Sequence, residues 1–472
     1  MCQVQEGGEE PEKARPSLRT TCMRCDQSAV VELKAYELVF CRQCFLNYFT
    51  HKFRSTIGKS KLVKKGEKVL LAFSGGQSSS AMIKLVNEGI REENHKKLRF
   101  HPGVIYMDEG AVTGQSSQER EAVCDQIQNA LSECTFPCHV EALENAVDLD
   151  DKCLQPGEND GSCETVTRNM TKLRIEIDDS KTMQLQELLS STKSVTAKED
   201  IVQKLRNKLL LHIARTYKYD KVMLGNSGTN LSVCILSDLA KGRGAAVPLD
   251  TNFADYRHGD ILFLRPMREF TSKEIAIYNR FHNIEPVVIP TLTTKAPVNA
   301  SINHLTEAFV TNLQVNFPST VNTVFRTGEK LCDAKSRSTD MENCCVLCQA
   351  PLDTSVGKAS ALKSTEFSLS LMKERTIDKK PTNQSEDAAG CQSNSATECC
   401  GQGDGSCHSN SHVTIITEQQ LAEYLCYACR VTVRDMKDIS RLPKYVTEEV
   451  TRRTNRSKLK AEIEDFLLED SD

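Results

Sequence analysis

The chain has 472 residues, of which 39% are hydrophobic and 26% charged, a composition that excludes a disordered or fibrous protein and suits two or three folded units. A net charge of −4 and a pI of about 6.3 exclude a self-sufficient nucleic-acid binder, so any RNA contact calls for a local patch or a partner. No run of about 18 uncharged apolar residues predicts a membrane span, and residues 1–20 hold no signal peptide, so a cytoplasmic protein without membrane association is expected.

Residues 1–20 read as a disordered tail. Cysteine, at 21 residues, is far too frequent for chance, and in a long chain without an export signal paired cysteines point to metal. Residues 21–50 form the first such module. Cys22-x-x-Cys25, then 15 residues, then Cys41-x-x-Cys44 is the spacing of a closed four-thiolate zinc site, with intervening strands bringing the pairs together. Residues 51–68 follow, with seven basic residues against the single acid Glu67. Lys59, Lys61, Lys64 and Lys65 are candidates there for contact with an RNA backbone; a solvated linker is the alternative.

Residues 51–330 are expected to be an α/β domain. Val69–Phe73 is an apolar strand that runs into Ser74-Gly75-Gly76-Gln77-Ser78-Ser79 and then a helix carrying Met82, Ile83, Leu85 and Val86. Two glycines let backbone N–H groups approach an anion, and the helix start adds its positive dipole end; a turn that needs glycine for its dihedrals would look the same. Val104–Met107 is a second strand, followed by a helix with Val123 and Ile127 and a strand near 139–143. A helical pattern spans 199–217, then Val222–Leu224 leads into Gly225-Asn226, Ile261–Leu264 makes another strand, and Thr271 to Glu274 is a capping box. Such alternation predicts a parallel sheet with helices on both faces. The Lys241-Gly242-Arg243-Gly244 loop reads as a smaller basic patch, with Lys241 and Arg243 as further RNA-contact candidates.

Residues 331–472 are expected to be a second cysteine module around a disordered insert at 378–412. Cys345-x-x-Cys348 and Cys426-x-x-Cys429 are 77 residues apart, but the insert supplies most of that length, and closing a long loop costs little more than closing a moderate one. Cys344 competes with Cys345 as the ligand. The cysteines of the insert, Cys391, Cys399, Cys400 and Cys407, read as bystanders.

Taken in order, these motifs resemble those of the cytoplasmic tRNA 2-thiolation protein 2 family, a degenerate branch of the PP-loop ATP pyrophosphatases. The resemblance runs over the Ser74–Ser79 loop, Val222–Ser232, Lys241–Asp250, Arg265-Pro266-Met267 and the flanking cysteine pairs. It implies a PP-loop sheet flanked by zinc modules, with Ser74, Gly75, Gly76, Ser78, Ser79, Gly225 and Asn226 at a nucleotide or phosphate site. It also implies a heterodimer with cytoplasmic tRNA 2-thiolation protein 1, tRNA as substrate, and a thiocarboxylated ubiquitin-related modifier as the sulfur donor to the wobble uridine. Active members carry Asp at the place of Ser78, and Gly-His-Asn-x-Asp-Asp where this chain reads Gly225-Asn226-Ser227-Gly228-Thr229-Asn230. Magnesium triphosphate is offset by oxygen anions, which neutral side chains do not replace. The sulfur-carrying cysteines of active members are also missing here, since none stands between Cys163 and Cys234 or between Cys234 and Cys332. A non-catalytic subunit is therefore expected, with zinc as its structural cofactor and ATP and magnesium left to the partner. The competing readings are a self-sufficient ATP-dependent tRNA thiouridylase and a zinc-based adaptor of the RING type.

Overall fold

The computed structural model describes residues 20–33, 35, 37–92, 97–149, 173–294, 296–331, 341–352, 369 and 416–464. The N-terminal tail and the insert at 378–412, with its four cysteines, lie outside them.

The first cysteine module is a two-stranded antiparallel ribbon, β1 (Val31–Leu33) and β2 (Leu38–Phe40), leading into the long helix α1 (Arg42–Ser60). Phe45, Phe49, Phe53 and Ile57 recur every fourth residue along α1 and are all buried, so this apolar stripe holds the helix to the sheet. This corrects the reading of 51–68 as a linker: its first ten residues finish α1. Lys52 pairs with Glu274 at 2.8 Å, and Arg54 pairs with Glu92. Lys59, Lys61, Lys64 and Lys65 are exposed.

A six-stranded sheet follows, in the order β5-β4-β3-β6-β8-β7. Its strands are β3 (Lys68–Phe73), β4 (His101–Asp108), β5 (Cys138–Ala142), β6 (Lys221–Met223), β7 (Ala254–Asp255) and β8 (Leu262–Leu264). All neighbouring pairs are parallel except β7 with β8. The helices of this region are α2 (Gln77–Arg91), α3 (Gly110–Thr113), α4 (Ser117–Ala130), α5 (Asp179–Ser191), α6 (Val195–Thr216), α7 (Gly228–Ala240), α8 (Val247–Thr251), α9 (Ser272–Phe281), α10 (Ile302–Asn316) and α11 (Thr320–Gly328). The expected strand–helix alternation is present, as is the expected capping box of Thr271 with Glu274 at the start of α9.

Alternation along the strands sorts the core into two layers. Val69, Leu71, Phe73, Val104, Tyr106, Met223 and Leu264 pack with α1, α2 and α9 and with Cys22 and Cys41. Leu70, Ile105, Val222 and Phe263 pack on the opposite face with α5 and α6. That second layer also takes in Cys345, Cys426 and Cys429, together with α12 (Glu418–Glu423), α13 (Tyr427–Arg434) and α14 (Lys444–Glu464). Each cysteine cluster is thus built into one face of the same sheet.

Candidate functional site: the strand ends, a charged cavity and two cysteine clusters

The phosphate-loop candidate connects β3 to α2, and Gly225-Asn226 follows β6, the neighbouring parallel strand. The two segments touch. A Cβ on Gly225 would stand 3.0 Å from Ser79 Cα and 3.1 Å from its nitrogen, so glycine is what lets the β6 end close on the α2 start. Gly75 has a φ of +75°, a left-handed turn that favours glycine. Its outer side is covered by Val287 and Ile289, and its carbonyl accepts from the Val287 N–H at 2.9 Å.

The hydroxyls of this loop bond largely to the loop itself. Ser74 Oγ and Ser79 Oγ are 3.2 Å apart, and Ser79 Oγ and Ser80 Oγ each donate to the Gly76 carbonyl at 3.0 Å. Ser78 Oγ is buried without a hydrogen-bond partner among the described residues. On the β6 side, Ser227 caps α7 through the Asn230 N–H, Asn226 Nδ2 donates to Asn230 Oδ1 at 3.0 Å, and Thr229 Oγ1 accepts from the Ser272 N–H at 3.0 Å. Of the neutral side chains standing where carboxylates are expected, Thr229 and Asn230 are therefore engaged by neighbouring residues, and Ser78 is not.

A cavity of about 790 Å³ opens beside Asn226, Thr229 and Asn230, between α6, α7 and α10, and reaches inward to Cys348. Its inner wall is an ion-pair network, which corrects the expectation for the 241–244 loop. Lys241 and Arg243 point into the protein. Lys241 Nζ is 3.0 Å from both Asp200 and Asp238, and Arg243 reaches Asp250 at 3.7 Å. They form no surface patch, because buried carboxylates draw them inward. Arg257 joins Asp250 at 2.6 Å to Asp255 at 2.5 Å. Burial raises the Asp238 carboxyl, whereas Asp200, though buried, is held below its usual range by Lys204 and Lys241. Cys234 also lines the cavity, and burial, with Asp238 beside it, pushes its thiol up to about 12. It is a protonated thiol at neutral pH, a poor nucleophile.

Both cysteine sets converge. The ligand atoms of Cys22, Cys25, Cys41 and Cys44 lie within 4.8 Å of one another, as do those of Cys345, Cys348, Cys426 and Cys429. Cys25 Sγ is 3.6 Å from Cys41 Sγ and 3.7 Å from Cys44 Sγ, and Cys348 Sγ is 3.6 Å from Cys426 Sγ. Metal–sulfur bonds of ~2.3 Å place tetrahedral sulfurs ~3.8 Å apart, so both donor sets fit one metal ion each. The second cluster takes Cys345, which settles the choice left open with Cys344. The Cys344 carbonyl instead accepts from Arg453 Nη1 at 2.6 Å. Arg453 is thereby turned inward, while α14 keeps Arg452 on its surface with Glu449.

The family described as cytoplasmic tRNA 2-thiolation protein 2 matches residues 301–431. Cytoplasmic tRNA 2-thiolation protein 2-A of Xenopus laevis is 41% identical over 98% of this chain and 96% of its own. The chain belongs to the cytoplasmic tRNA 2-thiolation protein 2 family.

Other members are similar from end to end: the Danio rerio protein is 39% identical over 100% of this chain and 99% of its own, and the Homo sapiens protein 37% over the same shares. Among solved structures, the U34-tRNA thiolase NcsA of Methanococcus maripaludis, determined with its 4Fe-4S cluster, aligns with 66% of this chain and 88% of that one, at 16% identity and a TM-score of 0.48. In this member of the family, the six-stranded sheet and both four-cysteine groups belong to a single packed body, with the cavity between sheet and C-terminal cysteines.

Proposed function

We propose that the chain is the non-catalytic subunit of a cytoplasmic tRNA 2-thiolation complex. Its partner is the active paralogue, cytoplasmic tRNA 2-thiolation protein 1. In this reading sulfur passes from a thiocarboxylated ubiquitin-related modifier to the wobble uridine, in the synthesis of 5-methoxycarbonylmethyl-2-thiouridine. The observation that carries the role in thiolation is the end-to-end likeness to proteins named for it. The non-catalytic part is supported by the chemistry of the strand ends. Ser78, Thr229 and Asn230 offer no anion to a magnesium ion, and the thiol on the cavity wall, Cys234, is held protonated. The partner supplies the nucleotide pocket and the sulfur-carrying thiols.

The two four-cysteine groups hold structural zinc in this reading, since four thiolates close the coordination shell and leave no position for a substrate. Ser74, Gly75, Gly76, Ser78, Ser79, Gly225 and Asn226 form a phosphate cradle that no longer drives chemistry. Lys59, Lys61, Lys64 and Lys65 provide the surface for the tRNA backbone. Changing these four to Glu should weaken tRNA binding by the complex and flatten its dependence on salt, since each lost phosphate contact removes ~0.9 from the slope of log K against log salt. An unaltered slope would move the contact elsewhere.

The decisive experiment supplies tRNA, ATP, magnesium and the thiocarboxylated modifier to this chain, to its partner, and to the two together. Thiouridine should form with the pair, and the chain alone should release no pyrophosphate. Thiouridine made by the partner-free chain would establish the self-sufficient thiouridylase instead.

A further inference from the structure

The end of the sheet remote from the phosphate cradle gathers three loops into one basic surface. Backbone hydrogen bonds hold them side by side: the Gly66 N–H donates to the Arg99 carbonyl at 2.8 Å, the His101 N–H to the Glu67 carbonyl at 2.8 Å, and the Asp220 N–H to the Lys68 carbonyl at 2.9 Å. These are the segments that enter β3, β4 and β6, which are neighbouring parallel strands. Lys64, Lys65, Lys68, Lys97, Arg99 and Lys218 stand exposed on them. The acids of the same loops, Glu67 and Asp220, are engaged. Glu67 pairs with Lys221 at 2.6 Å and accepts from the Lys64 N–H at 2.7 Å, and Asp220 accepts from the Lys68 N–H at 2.7 Å. Glu92, just past α2, is held by Arg54. Lys65, Lys68, Lys97, Arg99 and Lys218 are in no ion pair among the described residues.

Two lysines of this end occupy backbone positions that suit glycine. Lys61, with a φ of +55°, caps α1, and Lys218, with a φ of +57°, follows the last turn of α6. A left-handed residue after a helix is ordinarily glycine, because a Cβ is strained there. Lysine at both places weakens the fold slightly and adds a charge to the same surface. Such a charge can also answer the negative end of a helix dipole, but that field fades within the last turn. Lys64, Lys65, Lys68, Lys97 and Arg99 lie beyond it, four or more residues past the ends of α1 and α2. The apolar residues of these loops, Leu62, Val63 and Leu98, are half-buried against the core. Among the described residues the loops thus offer a lipid bilayer no apolar anchor. They offer a row of charges, which suits a chain of phosphates.

We propose that this end of the sheet is an RNA-backbone site, at which Lys68, Lys97, Arg99 and Lys218 join the lysines of the 59–65 stretch to hold a tRNA by its phosphates. The proposal rests on the reading that the chain serves tRNA thiolation, and it adds a location to that reading. β3 is six residues long, so at ~3.3 Å per residue the site lies about 20 Å from the phosphate cradle. The RNA gripped here is not the base under modification. The contact is independent of sequence and fixes the body of the tRNA while its wobble base is treated elsewhere.

The test measures binding of an unmodified tRNA transcript to the full chain, alone and with its partner, by fluorescence anisotropy across a salt series. Lys97→Ala, Arg99→Ala and Lys218→Ala combined should weaken binding on the order of tenfold or more and lower the slope of log K against log salt by about 2 to 3. Lys61→Gly with Lys218→Gly should also weaken binding, while the urea midpoint holds or rises, since glycine relieves the left-handed backbone. Vesicles of phosphatidylserine in phosphatidylcholine should leave the wild-type chain in solution. An unchanged salt slope in the triple variant would overturn the site. So would capture of the wild-type chain by the vesicles in place of tRNA, or a lowered midpoint with unchanged tRNA affinity in the glycine pair, which would assign the lysines to the helix ends. Thiouridine formation by the wild-type pair is read separately: its presence beside an unchanged slope rejects this surface alone, and its absence rejects the thiolation reading beneath it.

Discussion

Replacing Cys345 and Cys348 together with Ser should halve the metal content of the chain and unfold the layer beneath α6. Cys345 and Cys429 are fully buried, and the cluster packs directly with Leu205, Leu209 and Leu425. A structural zinc ion contributes apparent binding free energy of order 10 kcal/mol, comparable with the entire stability of a typical domain. The urea midpoint followed by circular dichroism, with metal measured by mass spectrometry, would show it. A variant with one metal fewer and an unmoved midpoint would mean that the centre does not hold this layer. Serine at Cys22 and Cys25 should also remove one metal, with a smaller shift, because Cys25 and Cys44 are only half-buried.

The second large effect concerns a residue remote from any metal. Arg120, on α4, is 2% exposed and bridges two buried carboxylates, Asp108 at the end of β4 and Glu144, each at 2.6 Å. Thr182 of α5 donates to the same Glu144 oxygen at 3.2 Å. Arg120→Met preserves bulk and leaves Asp108 and Glu144 buried without a counter-charge, a loss of about 3–5 kcal/mol. Burial already raises the Asp108 carboxyl against the pull of Arg120, so the variant should take up a proton there on folding. Its deficit should shrink as the pH falls toward the carboxylate range, because the unpaired acids are then neutral. Chemical denaturation at pH 7 and at pH 5 would test both points. A deficit below about 1 kcal/mol at pH 7 would show that the strut is dispensable.

Much of the fold was legible from local pattern. The run Val69–Phe73 before Ser74-Gly75-Gly76, the capping box at Thr271 and the two-residue spacing within each cysteine pair are short-range signals, and each specifies its element nearly alone. The phenylalanines of α1 were equally readable at their four-residue spacing, but the surrounding lysines drew attention to charge. Where reasoning from sequence failed was the direction of charged side chains. Lys241 and Arg243 look like a surface patch beside glycines, yet they turn inward because Asp200, from 41 residues earlier, and Asp250 lie beneath them. Arg120 gave no signal at all, since its partners come from two other elements. The cavity was also invisible, because its walls are assembled from α6, α7, α10 and the C-terminal cysteines. No window of sequence contains them together.

The assignment of one cysteine cluster to each face of the sheet also sets an order of completion during synthesis. The face carrying α1 and α2 has all its strands and its four-cysteine group once the ribosome has passed α9. The opposite face must wait for Cys426, Cys429 and Val450, close to the end of the chain. Until then Leu70, Val222 and Phe263 have only part of their cover, and exposed apolar surface of that kind is what chaperones recognise and aggregates grow from. A nascent chain that stalls before residue 426 is therefore an unevenly covered sheet, with one side finished and the other lacking the cover that the C-terminal cysteines and helices bring.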